Sequence, residues 1–419
     1  MKVIFGADMS FNYLEGFPGK EKAHKSLEGA AKVFEKADFR MVNLENVFGK
    51  KEDGNPIVKS GPNLLSDDDF IEYIHALKPE VVGLANNHTK DYDEGIMFHT
   101  IDSLKACGYK VIGAGKNIEE AYASADLEKD GIKVAIVAVC ENEFGAAKIN
   151  ESGTAGYSLS RVAKAIFKAK GEGKKPVIYF HGGNETNPIP SPGKVELYRH
   201  FIDIGAEAVI AMHTHCPQGY EYYNGKPIVY SMGNFFFPAN RSHLKSWNYG
   251  YMVQVDFTAD NATLEIFPYK FDFEGHYMLE GAEKEDFLKY IEVLNGTFKD
   301  EEEVQKWFDA WCTTQVHYAN ALTSYKEEIL TSNNQVENTR AKNALNCEAH
   351  NEVVRNILNM AYECRFEEAK DSPMAMSVMV AFCIAAYLEK SNIKSFTDKE
   401  LKEFMEDISE DIMEWLMEG

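Results

Sequence analysis

The sequence predicts an α/β fold followed by an all-helical, acidic segment, and three observations predict it. Residues 1–275 hold 27 of the 30 glycines and 12 of the 13 prolines, the residues that punctuate short alternating elements. Apolar strand-like runs recur there with amphipathic helical stretches between them: KVIFGAD, RMVNLEN, EVVGLANNH, YKVIGAG, KVAIVAVCEN, PVIYFHGGNE and AEAVIAMHTH. This is βαβ alternation. Beyond residue 275 the apolar spacing turns helical, with Phe287, Tyr290, Ile291 and Leu294 in one stripe and Leu401, Phe404, Met405, Ile408, Ile412 and Trp415 in another. Two domains are expected, 1–275 and 276–419.

Each element has its reason. KVAIVAV is apolar at nearly every position, as a strand covered on both faces must be. The later runs PIVYSMGNFFF, YMVQVDF and TLEIFPY alternate more, which suits a second sheet or its edge. The start, MKVIFGAD, is too short an apolar run for a secretory signal and reads as the first strand. Thr397 with Glu400 makes a capping box for the final helix. Trp307, Trp311, Tyr318 and Tyr325 are spaced as a helical stripe, whose ordinary role is core packing. The longest apolar run, Pro373 to Leu388, is 16 residues and holds Ser377; about 20 are needed to span a bilayer. A buried helix is expected there.

The 419 residues are 45% hydrophobic, 12% aromatic and 26% charged, a globular composition. The formal charge of −22 repels phosphate backbones and anionic headgroups. Nucleic-acid binding and membrane insertion are therefore not expected. Residues 276–419 carry −15 of that charge. The seven cysteines are scattered without any CxxC, so reduced thiols and a cytoplasmic location are expected.

The informative pattern is positional. Asp8 ends the first strand-like run, Asn43 and Glu45 the second, Asn86, Asn87 and His88 the third, His181 a later one, and His213 and His215 the one after. Ligands of open α/β sheets gather at the carboxyl ends of strands, so these chain-distant residues should meet. Three His with Asp, Glu and Asn suit one or two divalent transition-type ions such as Mn, Zn or Fe, with no organic cofactor. Two ions sharing a carboxylate suit in-line displacement on phosphorus. Glu45 is the candidate bridge and His88 the candidate acid.

Taken singly, these residues have plainer readings. A lone strand-end His is more often an ordinary hydrogen-bonded residue, and Asn86-Asn87 also suits a turn, with Asp93 placed for helix entry. His213-Thr214-His215 is stronger, because alternate residues of an extended segment share a side. Glu185 and Glu221 are candidates to orient imidazoles. Asn234, in a glycine-led turn, is a candidate for a substrate oxygen or for the turn itself. Arg241, His243 and Lys245 could receive an anionic group, whereas Cys216 is a bystander.

At these residues the sequence resembles the bacterial poly-gamma-glutamate capsule biosynthesis family, called CapA-like, within the calcineurin-like metallophosphoesterase superfamily. The resemblance covers roughly residues 2–240: Gly6-Ala-Asp8, Asn43-Leu-Glu45, Ala85-Asn-Asn-His88, Asp91 to Gly95, Gly113-Ala-Gly115, His181-Gly-Gly-Asn-Glu185, His213-Thr-His215 with Gln218 and Glu221, and Tyr230-Ser-Met-Gly-Asn-Phe235. It implies a two-sheet α/β/β/α sandwich. It also implies Asp8, Glu45, Asn87, His181, His213 and His215 as metal ligands, with His88 in the place of the general acid.

Three departures matter. Ser10 stands where phosphoesterases usually have His, so one ion is expected to be tight, on Asn87, His181, His213 and Glu45, and a second weaker, on Asp8 and His215. The family's His-Trp-Gly-x-Glu lacks its indole here, and the N-terminal membrane anchor of many relatives is not expected. The expected function is metal-dependent hydrolysis, as a phosphoesterase, of an anionic or envelope-related small molecule or polymer. A catalytically silent capsule-assembly or polymer-binding component and a metal-dependent amide hydrolase of a glutamyl polymer are the alternatives.

Overall fold

A computed structural model describes residues 1–239, 245–323 and 335–372. Two sheets face each other. The first, of eight strands, runs in the order His276–Met278, Ala262–Phe271, Tyr249–Phe257, Lys2–Met9, Phe39–Leu44, Val81–Gly83 and Lys110–Ile112, with Asn234–Phe236 also paired to Lys2–Met9. From Lys2–Met9 to Lys110–Ile112 the strands are parallel, so their carboxyl ends share one edge. The second sheet runs Tyr220–Tyr223, Lys226–Val229, Ala208–Met212, Lys175–His181, Ile132–Cys140 and Ala125–Lys129. Its central four strands are parallel too.

One core lies between the sheets. Phe5 stacks on Tyr179 across it at 5.9 Å, and the Tyr179 hydroxyl donates to the Gly6 carbonyl at 2.6 Å. On the far face of the second sheet, helices Leu159–Gly171 and Pro192–Asp203 bury Val162, Ile166, Tyr198 and Phe201 against Val137, Val139 and Phe180. This is the two-sheet α/β sandwich the sequence predicts, with strands covered on both faces as KVAIVAV required. Gly113 shows why one loop holds its place: its φ is +91°, and a Cβ there would sit 2.4 Å from the Ala85 nitrogen. Only glycine lets the chain pass so close to the Asn-Asn-His turn.

Two expectations about elements need correction. Tyr249–Phe257 and Ala262–Phe271 do not begin a second sheet; they extend the first antiparallel to Lys2–Met9. Their alternation arises because Ala262–Phe271 lies near the sheet's margin with one face partly open. The Trp307-to-Tyr325 spacing is not one helical stripe, since helix Glu301–Thr314 ends before a separate helix, Val316–Thr323, carries Tyr318. Trp311 is nonetheless buried, with Phe308, Cys312, Val353 and Met360.

The last described strand ends at Met278, and helices follow from Gly281. The predicted stripe Phe287, Tyr290, Ile291 and Leu294 is buried, and it joins the sandwich's own core. Helices Glu301–Thr314, Val316–Thr323, Gln335–Asn346, Glu348–Tyr362 and Phe366–Lys370 come after it. The expectations for Tyr325, the Pro373–Leu388 run, the 397–415 helix, Arg241, His243 and the Lys245 side chain fall outside the described residues. Among the described residues no helix is long and apolar enough to cross a membrane.

Candidate metal centre

The strand ends converge as the positional rule requires. Asp8, Asn43, Glu45, Asn87, His88, His181, His213 and His215 are all buried at the shared edge of the two sheets. Asp8 is held by Asn43, whose Nδ2 donates at 2.7 Å, and by the His213 backbone N–H at 2.9 Å. Its Oδ1 lies 3.2 Å from His181 Nδ1. Asn86 is a turn residue: its Nδ2 donates to the Leu44 carbonyl and its Oδ1 accepts from the His88 N–H. Asp93 caps the helix that follows, as expected, accepting from Gly95 and Ile96.

His213 and His215 converge by a different route from the one their spacing suggested. The strand ends at Met212, and both residues adopt positive φ, +99° and +57°. Non-glycine residues hold such backbone only where the surroundings impose it. For His213 the Asp8 carboxylate does so through its backbone N–H. For His215 the ring is set by Asn234, whose Oδ1 is 2.8 Å from Nδ1 while its Nδ2 donates to the Trp247 carbonyl at 3.0 Å. Asn234 thus orients an imidazole, leaving Nε2 turned to Glu45 at 4.0 Å.

Around His181 Nε2 the acceptors outnumber the protons. Asn87 Oδ1 lies at 3.1 Å, His213 Nδ1 at 2.9 Å and Glu45 Oε1 at 3.4 Å. One N–H cannot satisfy three. Both Glu45 carboxylate oxygens are buried without a hydrogen-bond partner, an arrangement that is costly unless a cation is bound among them. The residues therefore fit a divalent ion. Three overlapping groups have ligand atoms within 4.8 Å of one another: Glu45, His181 and His213; Asp8, Glu45 and His215; Glu185, His213 and His215. Glu45 is common to the first two. Ser10 is fully buried and its hydroxyl lacks a partner.

The electrostatics follow from the same crowding. Burial works against charge on His181, but Asp8 and Glu45 outweigh it and hold its pKa up at about 10. Burial, with His181 and His215 beside it, drives His213 well below the usual imidazole range. Burial also opposes charge on His215, and Glu45, Glu185 and Asp8 raise it overall. His88 stands apart from the imidazole cluster: Asp91 Oδ2 lies 2.5 Å from its Nδ1, and Lys59 pairs with the same Asp91. These contacts anchor the ring through Nδ1 and so fix the direction of Nε2.

Sequence reasoning missed Glu143, whose Oε1 is 3.4 Å from His213 Nε2. Burial, then Glu185 and Glu141, push its pKa up to about 7. It follows the Ile132–Cys140 strand, so the rule that found the other residues applied to it as well. The Lys59 contribution had no such signal. Glu221 is a correction: it accepts from Arg199 at 2.8 and 2.9 Å and from the Tyr230 hydroxyl at 2.6 Å, with no site imidazole bonded to it among the described residues. Arg199 outcompetes any imidazole by offering a bidentate fork. Cys216 faces the Asn187 carbonyl, as a bystander should.

Fold and site together define a class: two-sheet α/β sandwich proteins with a buried His, Asn and carboxylate cluster, of the kind that holds metal ions, at the strands' carboxyl ends. Residues 9–239 match the model of the bacterial capsule synthesis protein PGA_cap, and the chain belongs to that family. It is 23% identical over 323 residues to the PGA biosynthesis protein CapA of Bacillus subtilis (strain 168), covering 76% of this chain and 83% of that one. The capsule biosynthesis protein CapA of Bacillus anthracis is 29% identical over 163 residues, 38% of this chain and 40% of its own. A probable polyglutamine synthesis accessory protein of Mycobacterium tuberculosis is 27% identical over 215 residues, 47% and 55% of the two chains. The solved structure of TT1561 of Thermus thermophilus overlays with a TM-score of 0.34 and 12% identity, over 63% of this chain and 97% of that one.

Proposed function

We propose that the chain is a metal-dependent hydrolase of the phosphoesterase type that acts on an anionic substrate of capsule synthesis. The observation that carries this reading is the Glu45 carboxylate, fully buried with neither oxygen hydrogen-bonded, at the meeting point of His181, His213 and His215. Asp8, Glu45, Asn87, His181, His213 and His215 would hold one or two divalent ions. When bound, such ions supply Lewis-acid stabilisation and activate water for attack on phosphorus. The chain's own part is orientation and proton delivery. Asn43 and the His213 N–H fix Asp8, Asn234 fixes His215, and Asp91 fixes His88 so that its Nε2 can protonate a leaving oxygen.

The test is turnover of a generic aryl phosphodiester by the full chain, with Mn²⁺ or Zn²⁺ supplied. Slow hydrolysis abolished by chelation and by His181→Ala is expected. Turnover no greater than the His181→Ala background with every metal would defeat the catalytic reading. A second reading, a non-catalytic polymer-binding component, is favoured by one observation, Ser10 in the place of a ligand imidazole. Binding of polyglutamate without any such turnover would establish it.

A further inference from the structure

The two nitrogens of His213 face different surroundings. Nδ1 lies 2.9 Å from His181 Nε2, the atom around which Asn87 and Glu45 also gather, so Nδ1 is turned into the cluster. Nε2 lies 3.4 Å from Oε1 of Glu143. The side chains are 1% and 9% exposed, so the pair is shielded from water. Among the described residues the Glu143 carboxylate has no other hydrogen-bond or ion-pair partner, and no other acceptor is bonded to that nitrogen.

The loop that presents Glu143 is held from the helical region, at the first turn of helix Glu348–Tyr362. Asn142 donates to the Glu348 carboxylate from its backbone at 2.9 Å and from its side chain at 2.6 Å. The same Nδ2 reaches the Tyr157 carbonyl at 2.7 Å. Glu141 accepts from the Ala349 N–H and from the Gly183 N–H, each at 3.1 Å, and its own N–H donates to the His181 carbonyl at 3.1 Å. Both residues before Glu143 are thus fastened, one to the helix and the other to the helix and to the segment around His181.

A neutral imidazole carries one N–H, and an ion takes the lone pair of the other nitrogen. Imidazoles that bind metal usually donate that N–H to a carboxylate or carbonyl, which fixes the tautomer and the direction of the ring. Resting on the metal-binding part of the reading above, we propose that Glu143 is a positioning residue: it receives the Nε2–H of His213 and keeps the Nδ1 lone pair on the cluster side, while Glu348 of the helical region holds the loop from which it acts. Glu143 takes no ion itself in this arrangement. The helical region then reaches the centre through Asn142 and Glu143 rather than only packing beside it.

The experiment measures binding of Mn²⁺ alone to the full chain by calorimetry, with melting in EDTA alongside. Loss of a group that orients a ligating imidazole costs about 10- to 100-fold in metal affinity. Glu143→Ala should weaken Mn²⁺ by that factor and leave melting in EDTA little changed, since no Lys or Arg is paired with Glu143 among the described residues. Glu143→Gln keeps a side-chain oxygen able to accept the Nε2–H and should stay within about threefold of wild type. Glu348→Ala, which frees Asn142, should weaken Mn²⁺ in the wild-type background and add nothing in Glu143→Ala. Should Glu143→Ala not fold, Glu143→Met, which fills similar space without an oxygen, takes its place. Wild-type Mn²⁺ affinity in Glu143→Ala overturns this proposal alone. Equal losses in Glu143→Gln and Glu143→Ala overturn it by making Glu143 a ligand, and a loss matched by a fall in melting in EDTA overturns it in favour of a structural role. Wild-type affinity in Glu348→Ala overturns the part given to the helical region. A wild type that binds no Mn²⁺ overturns the proposal together with the metal-dependent reading.

Discussion

Substituting Glu45 by glutamine should have opposite effects on stability in chelator and in metal. Glu45 is fully buried, neither oxygen is hydrogen-bonded, and its cationic neighbour is His181 Nε2 at 3.4 Å. A buried polar group left unsatisfied costs about 1–3 kcal/mol, more when charged. In chelator, His181 compensates part of that, since it is held protonated with a pKa of about 10. Glu45→Gln removes the charge and should stabilise the chelated protein by about 1 kcal/mol. In metal the order reverses, because binding at a hundred times Kd adds about 2.7 kcal/mol to the wild type alone. At about 2–4 °C per kcal/mol, the wild type should gain roughly 5–10 °C from Mn²⁺ or Zn²⁺ and the variant under about 2 °C. Calorimetric melting with and without EDTA measures all four states. If Glu45→Gln melts lower than wild type in chelator, or if no divalent ion moves the wild type, the account of the orphaned carboxylate is wrong.

Three further outcomes are expected. His88→Asn should lower aryl phosphodiester turnover by about 10²- to 10⁴-fold, the range of general acid catalysis, with metal content intact; loss of metal by elemental analysis would make His88 a ligand instead. Lys194→Met should cost about 3–5 kcal/mol in urea unfolding, because it strands the buried Glu141 carboxylate without its Lys194 partner, and a cost under about 1 kcal/mol would show the pair to be dispensable. The pH dependence of stability should carry the mark of His276, buried against Phe235 and Tyr269 with neither ring nitrogen bonded, its pKa lowered by burial to about 3 from 6.5. The unfolded chain takes up the proton first, so the full contribution is present above pH 6.5 and is lost as pH falls toward 3, at up to about 1.4 kcal/mol per pH unit. His276→Phe should flatten that limb of the stability curve, and an unchanged acid limb would count against it.

How much of this was legible in the sequence divides along physical lines. Strand ends were readable because apolar runs have sharp polar limits, and the βαβ rule then brings those limits to one edge. That is why Asp8, Glu45, Asn87, His181, His213 and His215 could be placed together from a linear text. Glu143 obeyed the same rule and was overlooked because it lies one residue beyond KVAIVAVCEN, among common surface-type residues. His213 and His215 were paired for a reason the backbone does not follow: positive φ is imposed by Asp8 and its surroundings, and no local pattern encodes it. Lys59, Lys194 and Glu348 were unreadable, since each acquires its meaning from a partner dozens to hundreds of residues away. The alternation of Ala262–Phe271 was read correctly as exposure of one face and wrongly as a new sheet, because alternation reports solvent and says nothing of which strands pair.

The pairing of Asn234–Phe236 beside Lys2–Met9, in register at Asp8 and Asn234, has a consequence for when the centre comes into being. The asparagine that turns His215 is synthesised more than two hundred residues after Asp8, and helix Glu348–Tyr362 follows later still. Contacts so distant in sequence close late, after the entropy of a long loop has been overcome. No partial chain can display the whole cluster, so an ion that needs all of these residues at once would have to wait for the folded molecule.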